Sequence, residues 1–328
     1  MVMTLTKVIL LVVGSFNPPT IMHLRMFEIA RDHLEALGRF EVICGIMSPV
    51  HDMYGKKGLI SAKHRKEMLK LALQNTDWIS ISDWESSQDH WVPTRQVLQY
   101  HQNQINAILN ETWNMGKRKH DEENWIKQVL LHCDHNDKPV VKLLCGGDMI
   151  ETFAIPGLWL EDDIETILKD HGLVVVTRSG SNTPKSIYES DILSKYQKNV
   201  IIVMEWITNE ISSSKVRRAI QRYQSVKYLV ADSVIDYIVK NHLYDKLSVD
   251  MPDNLKNFVI DRNDINFKSS VVTLDGAIQV LSDINEDHGK NNCFKINHPM
   301  ENEDVPKVEI QITKDGTIQV ISDKETTV

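Results

Sequence analysis

Apolar runs rich in β-branched residues recur along the chain: Val8–Val13, Phe40–Ile46, Trp78–Ile81, Val140–Leu144, Leu173–Thr177 and Val200–Met204. Most lack the alternation of a strand with one wet face, which predicts strands covered on both faces, as in a parallel sheet. Helical spacing fills the intervals. Met22–Leu37 keeps Leu24, Phe27, Ile29, Leu34 and Leu37 near one side and stops at Gly38, a suitable residue just past a helix end. Lys63–Leu73 follows Ser61, read as an N-cap, and Pro93 is placed to start another helix. Glu161–Lys169 and Asp232–Asn241 complete the series. Strand alternating with helix predicts an α/β fold with a doubly wound, mainly parallel sheet and right-handed crossovers.

The pattern fails in two places. Residues 106–138 are polar and contain GKRKHDEEN, which predicts an insertion loop. Its Lys117-Arg118-Lys119 run is readable as a nuclear import signal or as a solvated charged loop. Beyond Lys246 the α/β alternation stops. The expected division is therefore an α/β domain over residues 1–245 and a tail over 246–328. The tail carries a duplication: TLDGAIQVLSD (Thr273–Asp283) returns as TKDGTIQVISD (Thr313–Asp323). Asp-Gly between β-prone residues predicts a hairpin in each copy. Two isolated hairpins are marginal in water, so they should pair, dock on the core or bind a partner, unless the tail stays unfolded.

Composition narrows the function. With 328 residues, 42% of them hydrophobic and 25% charged, the chain can build a large core. A net charge of −8 excludes a generally basic, nucleic-acid-binding surface but leaves room for a local cationic pocket. Cys44, Cys133, Cys145 and Cys293 form no CxxC pair, which suits thiols in a reducing compartment. His132-Cys133-Asp134-His135 sits among Asp and Asn and reads as a loop, so no protein-bound metal is expected. No apolar run reaches the ~20 residues of a membrane span. Val8–Val13 is too short for a secretion signal and runs straight into prolines and a long amphipathic helix, so it is expected to be a strand.

The chemistry concentrates at two stretches. Gly14-Ser15-Phe16 ends the first strand, and His23 lies in the first turn of the helix after Thr20. A glycine there lets backbone N–H groups approach a phosphate, the helix N-terminus points its positive end at the same place, and His23 can donate to phosphate oxygens. Neither GxxxxGK[ST] nor GxGxxG is present. The second stretch is NEISSSKVRRAI (Asn209–Ile220), where serines precede Lys215, Arg217 and Arg218 at a helix start, a combination suited to polyphosphate.

GSFNPPT with His23, together with ISSSKVR (Ile211–Arg217), resembles the HxGH/ISSTxxR superfamily of nucleotidyltransferases. SPVHDMYGKKGL, DWESSQDHW, KLLCGGDMIETFAIPGLW, GLVVVTRSG, YESDIL and QSVKYLVADSVIDYI extend the resemblance, in order, to the eukaryotic nicotinamide mononucleotide adenylyltransferases over about Lys7 to Tyr244. The HxGH position reads Thr20-Ile21-Met22-His23, keeping only the second histidine, and Ser214 replaces the usual threonine.

The resemblance implies a Rossmann-like nucleotidyltransferase fold and the reaction ATP + nicotinamide mononucleotide → NAD + pyrophosphate, with nicotinic acid mononucleotide as a second acceptor. It implies His23 and Arg217 as catalytic groups. Gly14, Ser15 and Phe16 would lie between the substrates; His23, Asn209, Ser213, Ser214, Lys215, Val216 and Arg217 would face ATP. Lys56 would meet the mononucleotide phosphate, and Trp91 would stack on the pyridine ring with Thr94, Leu158 and Trp159 around it. Gly146, Asp148 and Asn209 would lie toward ribose and adenosine, and Tyr54 and Glu205 are carried over with this group. Mg²⁺ would arrive with ATP, the chain would self-associate, and its residence would be cytoplasmic, nuclear or both. Two alternatives stand beside this reading: another small-substrate nucleotidyltransferase, and a nucleotide-binding, chaperone-like or interaction protein.

Overall fold

The structure is a computed structural model; it describes residues 5–111, 124–177, 182–207 and 209–244, and the backbone of five short strands beyond 270. Strands β1 (Thr6–Gly14), β2 (Phe40–Pro49), β3 (Ile79–Ile81), β4 (Val140–Gly146), β5 (Leu173–Thr177) and β6 (Val200–Met204) form one sheet in the order β3-β2-β1-β4-β5-β6. Every pairing is parallel. Helices α1 (Ile21–Ala36), α2 (Ala62–Ala72), α3 (Thr94–Glu111), α4 (Asn124–His132), α5 (Gly147–Phe153), α6 (Glu161–Thr166), α7 (Thr183–Glu189), α8 (Asp191–Lys195), α9 (Ser213–Ile220) and α10 (Asp232–Lys240) fill the crossovers and close the α/β unit.

Both faces of the sheet are dry, as the missing alternation predicts. Ile9, Leu11, Val141, Leu143 and Val175 pack with Leu98, Ile105, Trp125 and Val129 of α3 and α4 on one side. Val8, Leu10, Val12, Val174 and Val176 pack with Met26, Phe27, Ala30 and Leu34 of α1 on the other. A third cluster joins Met68 of α2 to Val216 of α9 and Val234 and Ile238 of α10. Cys44 and Cys145 are buried in their strands, with free thiols.

Three local expectations are corrected. The stretch read as an insertion loop holds helix on both sides of its undescribed middle: α3 continues to Glu111, and α4 covers Asn124–His132. The helix read as Glu161–Lys169 ends at Thr166 and widens into a π-helical turn, Ile167–His171, before Gly172 at φ 75°. Ser61 makes no side-chain cap for α2; the Ala62 N–H donates to Asp52 Oδ1 at 2.6 Å. The Lys117-Arg118-Lys119 run lies outside the described residues.

Strand order reverses between β1 and β4, and the sheet opens there. Their recorded pairing runs from Val8↔Val140 to Leu11↔Leu143 and stops short of both strand ends. Past that point β1 follows β2 as far as Gly14↔Pro49, while β4 follows β5 as far as Gly146↔Val176. The two strands separate toward Gly14 and Gly146, leaving a crevice at the carboxyl ends of the switch-point strands, where open α/β sheets bind ligands.

Contacts divide the chain into Met1–Met251 and Pro252–Val328. In the second unit β7 (Val271–Leu274) pairs antiparallel with β8 (Ala277–Val280) across Asp275-Gly276, the first predicted hairpin. Strand β10 (Val308–Ile312) pairs antiparallel with β11 (Ile318–Ser322), the second hairpin, and also with β9 (Asn292–Lys295).

Candidate active site

The loop leaving β1 is tightly specified. Gly14 carries the backbone under the Phe16 ring, and a Cβ there would lie 3.1 Å from Phe16 Cζ. Phe16 is buried at φ 44°, in the left-handed region that L-residues avoid. Its ring meets His23 edge-on, with centroids 5.3 Å apart. The Thr20 N–H donates to His23 Nδ1 at 2.9 Å. A backbone amide can only donate, so Nδ1 accepts and the neutral ring carries its proton on Nε2. The helix start thus fixes His23 as an Nε2–H donor.

The second phosphate stretch is fastened to the same loop. Ser212 caps α9, accepting from the Lys215 N–H at 3.3 Å. Ser213 Oγ donates to the Pro18 carbonyl at 2.8 Å, and Arg217 Nη1 donates to the Asn17 carbonyl at 2.7 Å. Two segments almost 200 residues apart in sequence therefore meet over the end of β1. Only one of the five guanidinium N–H groups of Arg217 is used in this bond.

Lys56 reaches the same place from the β2–α2 connection, with Nζ 3.1 Å from Ser15 Oγ. Its pKa is lowered, first by burial and then by the Arg217 charge, with Asp148 pulling the other way. Lys56 thus feels both the Arg217 charge and the Asp148 carboxylate. Asp148 is exposed in the first turn of α5, and its Oδ1 lies over Gly146, where an added Cβ would make the carboxylate move. Tyr54 and Trp91 come together at the surface, both half exposed, with ring centroids 6.2 Å apart. Thr94 begins α3 close behind Trp91.

Other expected residues have local duties. Val216 is fully buried in the third cluster and its N–H donates to the Ser212 carbonyl, so it supports α9 instead of facing ATP. Lys215 is held by Glu210 in an exposed ion pair of 2.7 Å. Ser214 shares its hydroxyl with Ser212 at 3.1 Å. Asn209 Oδ1 accepts from Ile211 N–H, and Glu205 Oε1 from Ile207 N–H, so both shape the approach to α9. Arg25 Nε lies 3.6 Å from Glu205 Oε2, an ion-pair distance too long for a hydrogen bond. Trp159 packs edge-on to Phe153 and donates to Thr152 Oγ1, whereas Leu158 is exposed.

Sequence reading missed two supports. Arg65 is fully buried on α2, and its guanidinium donates to the carbonyls of Ile60, Ser15 and Val50 and to Asp52 Oδ1. It ties the β1–α1 loop to the Lys56 connection. Glu85 is equally buried and accepts from Ser48 Oγ at 2.6 Å, next to the end of β2. The one available signal for Arg65 was its place beside the apolar face of α2, which includes Met68 and Leu69. A separate cleft of about 530 Å³ opens at the other end of β4, around Val140, and contains none of the expected site residues.

The profile of the cytidylyltransferase-like family matches residues 11–219. A Drosophila melanogaster nicotinamide-nucleotide adenylyltransferase is 50% identical over 243 residues, 73% of this chain and 62% of that protein. The Bos taurus nicotinamide/nicotinic acid mononucleotide adenylyltransferase 1 is 47% identical over 250 residues, 73% of this chain and 89% of that protein. An Arabidopsis thaliana nicotinamide/nicotinic acid mononucleotide adenylyltransferase is 42% identical over 243 residues, 74% of this chain and 92% of that protein. The chain thus spans less than two thirds of the fly relative's length and most of the other two. With the crevice at Gly14 and Gly146, and the two phosphate-suited stretches joined across it, this chain belongs to the cytidylyltransferase-like family and, within it, to the nicotinamide-nucleotide adenylyltransferases.

Proposed function

We propose that the chain transfers AMP from ATP to nicotinamide mononucleotide, giving NAD and pyrophosphate, and that nicotinic acid mononucleotide is a second acceptor. The observation that carries this reading is the joining of the β1–α1 loop to the start of α9 through Ser213–Pro18 and Arg217–Asn17. An oxygen of the mononucleotide phosphate attacks the ATP α-phosphorus while the bond to the β-phosphate oxygen breaks, and pyrophosphate leaves on the opposite side. The nucleophile is already anionic, so the protein's work is alignment and neutralisation of charge.

Each residue is assigned by what it can offer. His23 Nε2–H, the Arg217 guanidinium and the N-terminal turn of α9 with Ser213 and Ser214 face the triphosphate and the departing pyrophosphate. Lys215 joins them by leaving an exposed ion pair, which costs little. Lys56 takes the mononucleotide phosphate, and Gly14, Ser15 and Phe16 keep the space between the substrates narrow. Trp91 and Tyr54 offer aromatic faces to the pyridine ring. Asp148 accepts from sugar hydroxyls.

The cation is assigned to the nucleotide. Among the described residues no three His, Cys, Asp or Glu side chains converge on one point. Mg²⁺ suits this arrangement because it keeps most of its waters and binds through substrate phosphates. No helix among the described residues is long and apolar enough to cross a membrane. We place the protein in the cytosol or nucleus, as a homo-oligomer.

The test is pyrophosphate release with ATP and Mg²⁺, with and without nicotinamide mononucleotide, for wild type and His23→Ala. Release should require the mononucleotide, yield NAD stoichiometrically, and fall by about 10²-fold or more in the variant. A folded variant with wild-type turnover would remove His23 from the mechanism. No NAD from a folded, ATP-binding wild type would favour the binding-protein reading.

A further inference from the structure

Asn17 is a buried junction between four parts of the site. Its side-chain Nδ2 donates to the Gly58 carbonyl at 2.8 Å, in the connection that carries Lys56. Its own carbonyl accepts from Arg217 Nη1 at 2.7 Å. Its Oδ1 accepts from the Tyr244 hydroxyl at 2.8 Å. An amide makes both side-chain bonds in one rotamer only, with oxygen toward Tyr244 and nitrogen toward Gly58. The Gly58 carbonyl can only accept and so sets which end of the amide faces it, and the Tyr244 hydroxyl anchors the oxygen end.

The chain takes some trouble to present this hydroxyl. After α10 the backbone turns back, with His242 at φ 50° and Tyr244 at φ 70°, and Leu243 donates to the Ile238 carbonyl while its side chain is buried. Burial raises the Tyr244 pKa, with Arg217 and Arg65 opposing, so the phenol remains a donor at working pH. The Tyr244 hydroxyl reaches the site through its hydrogen bond to Asn17, and the Arg217 charge acts on the same phenol.

We infer that Tyr244 is a positioning residue for the reaction: by anchoring Asn17 it holds the Lys56 connection and the Arg217 guanidinium in register. The inference rests on the substrate assignments made under the proposed function. Without the phenol, the buried Asn17 oxygen loses its donor, the amide is held at its nitrogen end alone, and the connection carrying Lys56 loosens. Arg217 is held by the Asn17 main chain and should feel the change less.

The experiment uses the full chain with Tyr244→Phe, which deletes one oxygen. KM for nicotinamide mononucleotide should rise about fivefold, the loss of one buried hydrogen bond, with KM for ATP changing less than about twofold and the melting temperature falling by only a few degrees. In a Lys56→Ala background, Tyr244→Phe should add almost nothing, because both changes remove the same contact. Amide hydrogen exchange between Tyr54 and Leu59 should accelerate in Tyr244→Phe without substrate. This last readout does not depend on turnover. If wild type makes no NAD, the proposed reaction fails while the exchange result still judges the Tyr244 coupling. Unchanged exchange, equal losses in both backgrounds, or a KM change that merely tracks a lower melting temperature would overturn the inference.

Discussion

Glu85 is a carboxyl group only 1% exposed, with one oxygen accepting from Ser48 and the other, Oε1, without a hydrogen-bond partner. Burial pushes its pKa up to about 7 from an ordinary 4.5, with the Ser48 bond and the Arg65 charge opposing. The folded chain therefore holds this proton more tightly than the unfolded chain. Stability falls as pH rises from about 4.5 to about 7, and above that window the buried charge costs about 3 kcal/mol. Glu85→Gln should be nearly neutral at pH 5 and stabilising at pH 8, the difference growing by about 2 kcal/mol across that range. Urea denaturation at the two pH values checks it, and an unchanged difference would rule out ionisation as the cause. No sequence signal marks this carboxylate, because Glu is almost always exposed and only the packed neighbours of Ser48 bury it. Arg65 had only its place beside the apolar face of α2 to mark it, since its partners Ser15, Val50 and Ile60 come from different loops. The place of His23 in the first turn of α1 was legible because a helix start is encoded locally.

At the scale of elements, α9 is a short helix whose first turn does most of its work. Its N-cap bond, Lys215 N–H to Ser212 Oγ, keeps Ser213 and Arg217 in place over the β1–α1 loop. Ser212→Ala should cost about 1 kcal/mol of stability and lower kcat/KM for ATP more than for the mononucleotide. Thermal unfolding with steady-state kinetics measures both, and equal losses for the two substrates would mean that the cap serves the fold alone. The strands were readable in sequence to within a few residues, because strands dry on both faces need continuous apolar runs. The helices around residues 106–138 were not. Yet Val97, Leu98, His101, Ile105 and Leu109 are buried at helical spacing along α3, as are Trp125 and Val129 along α4. Gln and Asn on the outer faces masked that period, and the charged stretch between the helices made the whole segment look like loop. The π turn after α6 was also hidden, since it depends on how Gly172 lets the chain enter β5.

For the whole molecule, charge and topology point to one end of the sheet. A chain of net charge −8 gathers Lys56, Arg65 and Arg217 around the place where β1 and β4 part. Such a local positive field in an acidic protein draws small anions. All the residues assigned to substrates lie within Met1–Met251, and the duplicated hairpins lie in Pro252–Val328. A chain ending at Met251 should therefore keep kcat and both KM values within about twofold of full length, since every residue assigned to a substrate lies in the first unit. The same chain carrying Tyr244→Phe should show the raised mononucleotide KM of the full-length variant. Comparing the two by the same coupled NAD assay separates a tail that serves other purposes from a C-terminal residue that serves the reaction. If the Met251 chain were inactive though folded, catalysis would depend on the hairpin unit, and the division of labour along the chain would have to be redrawn.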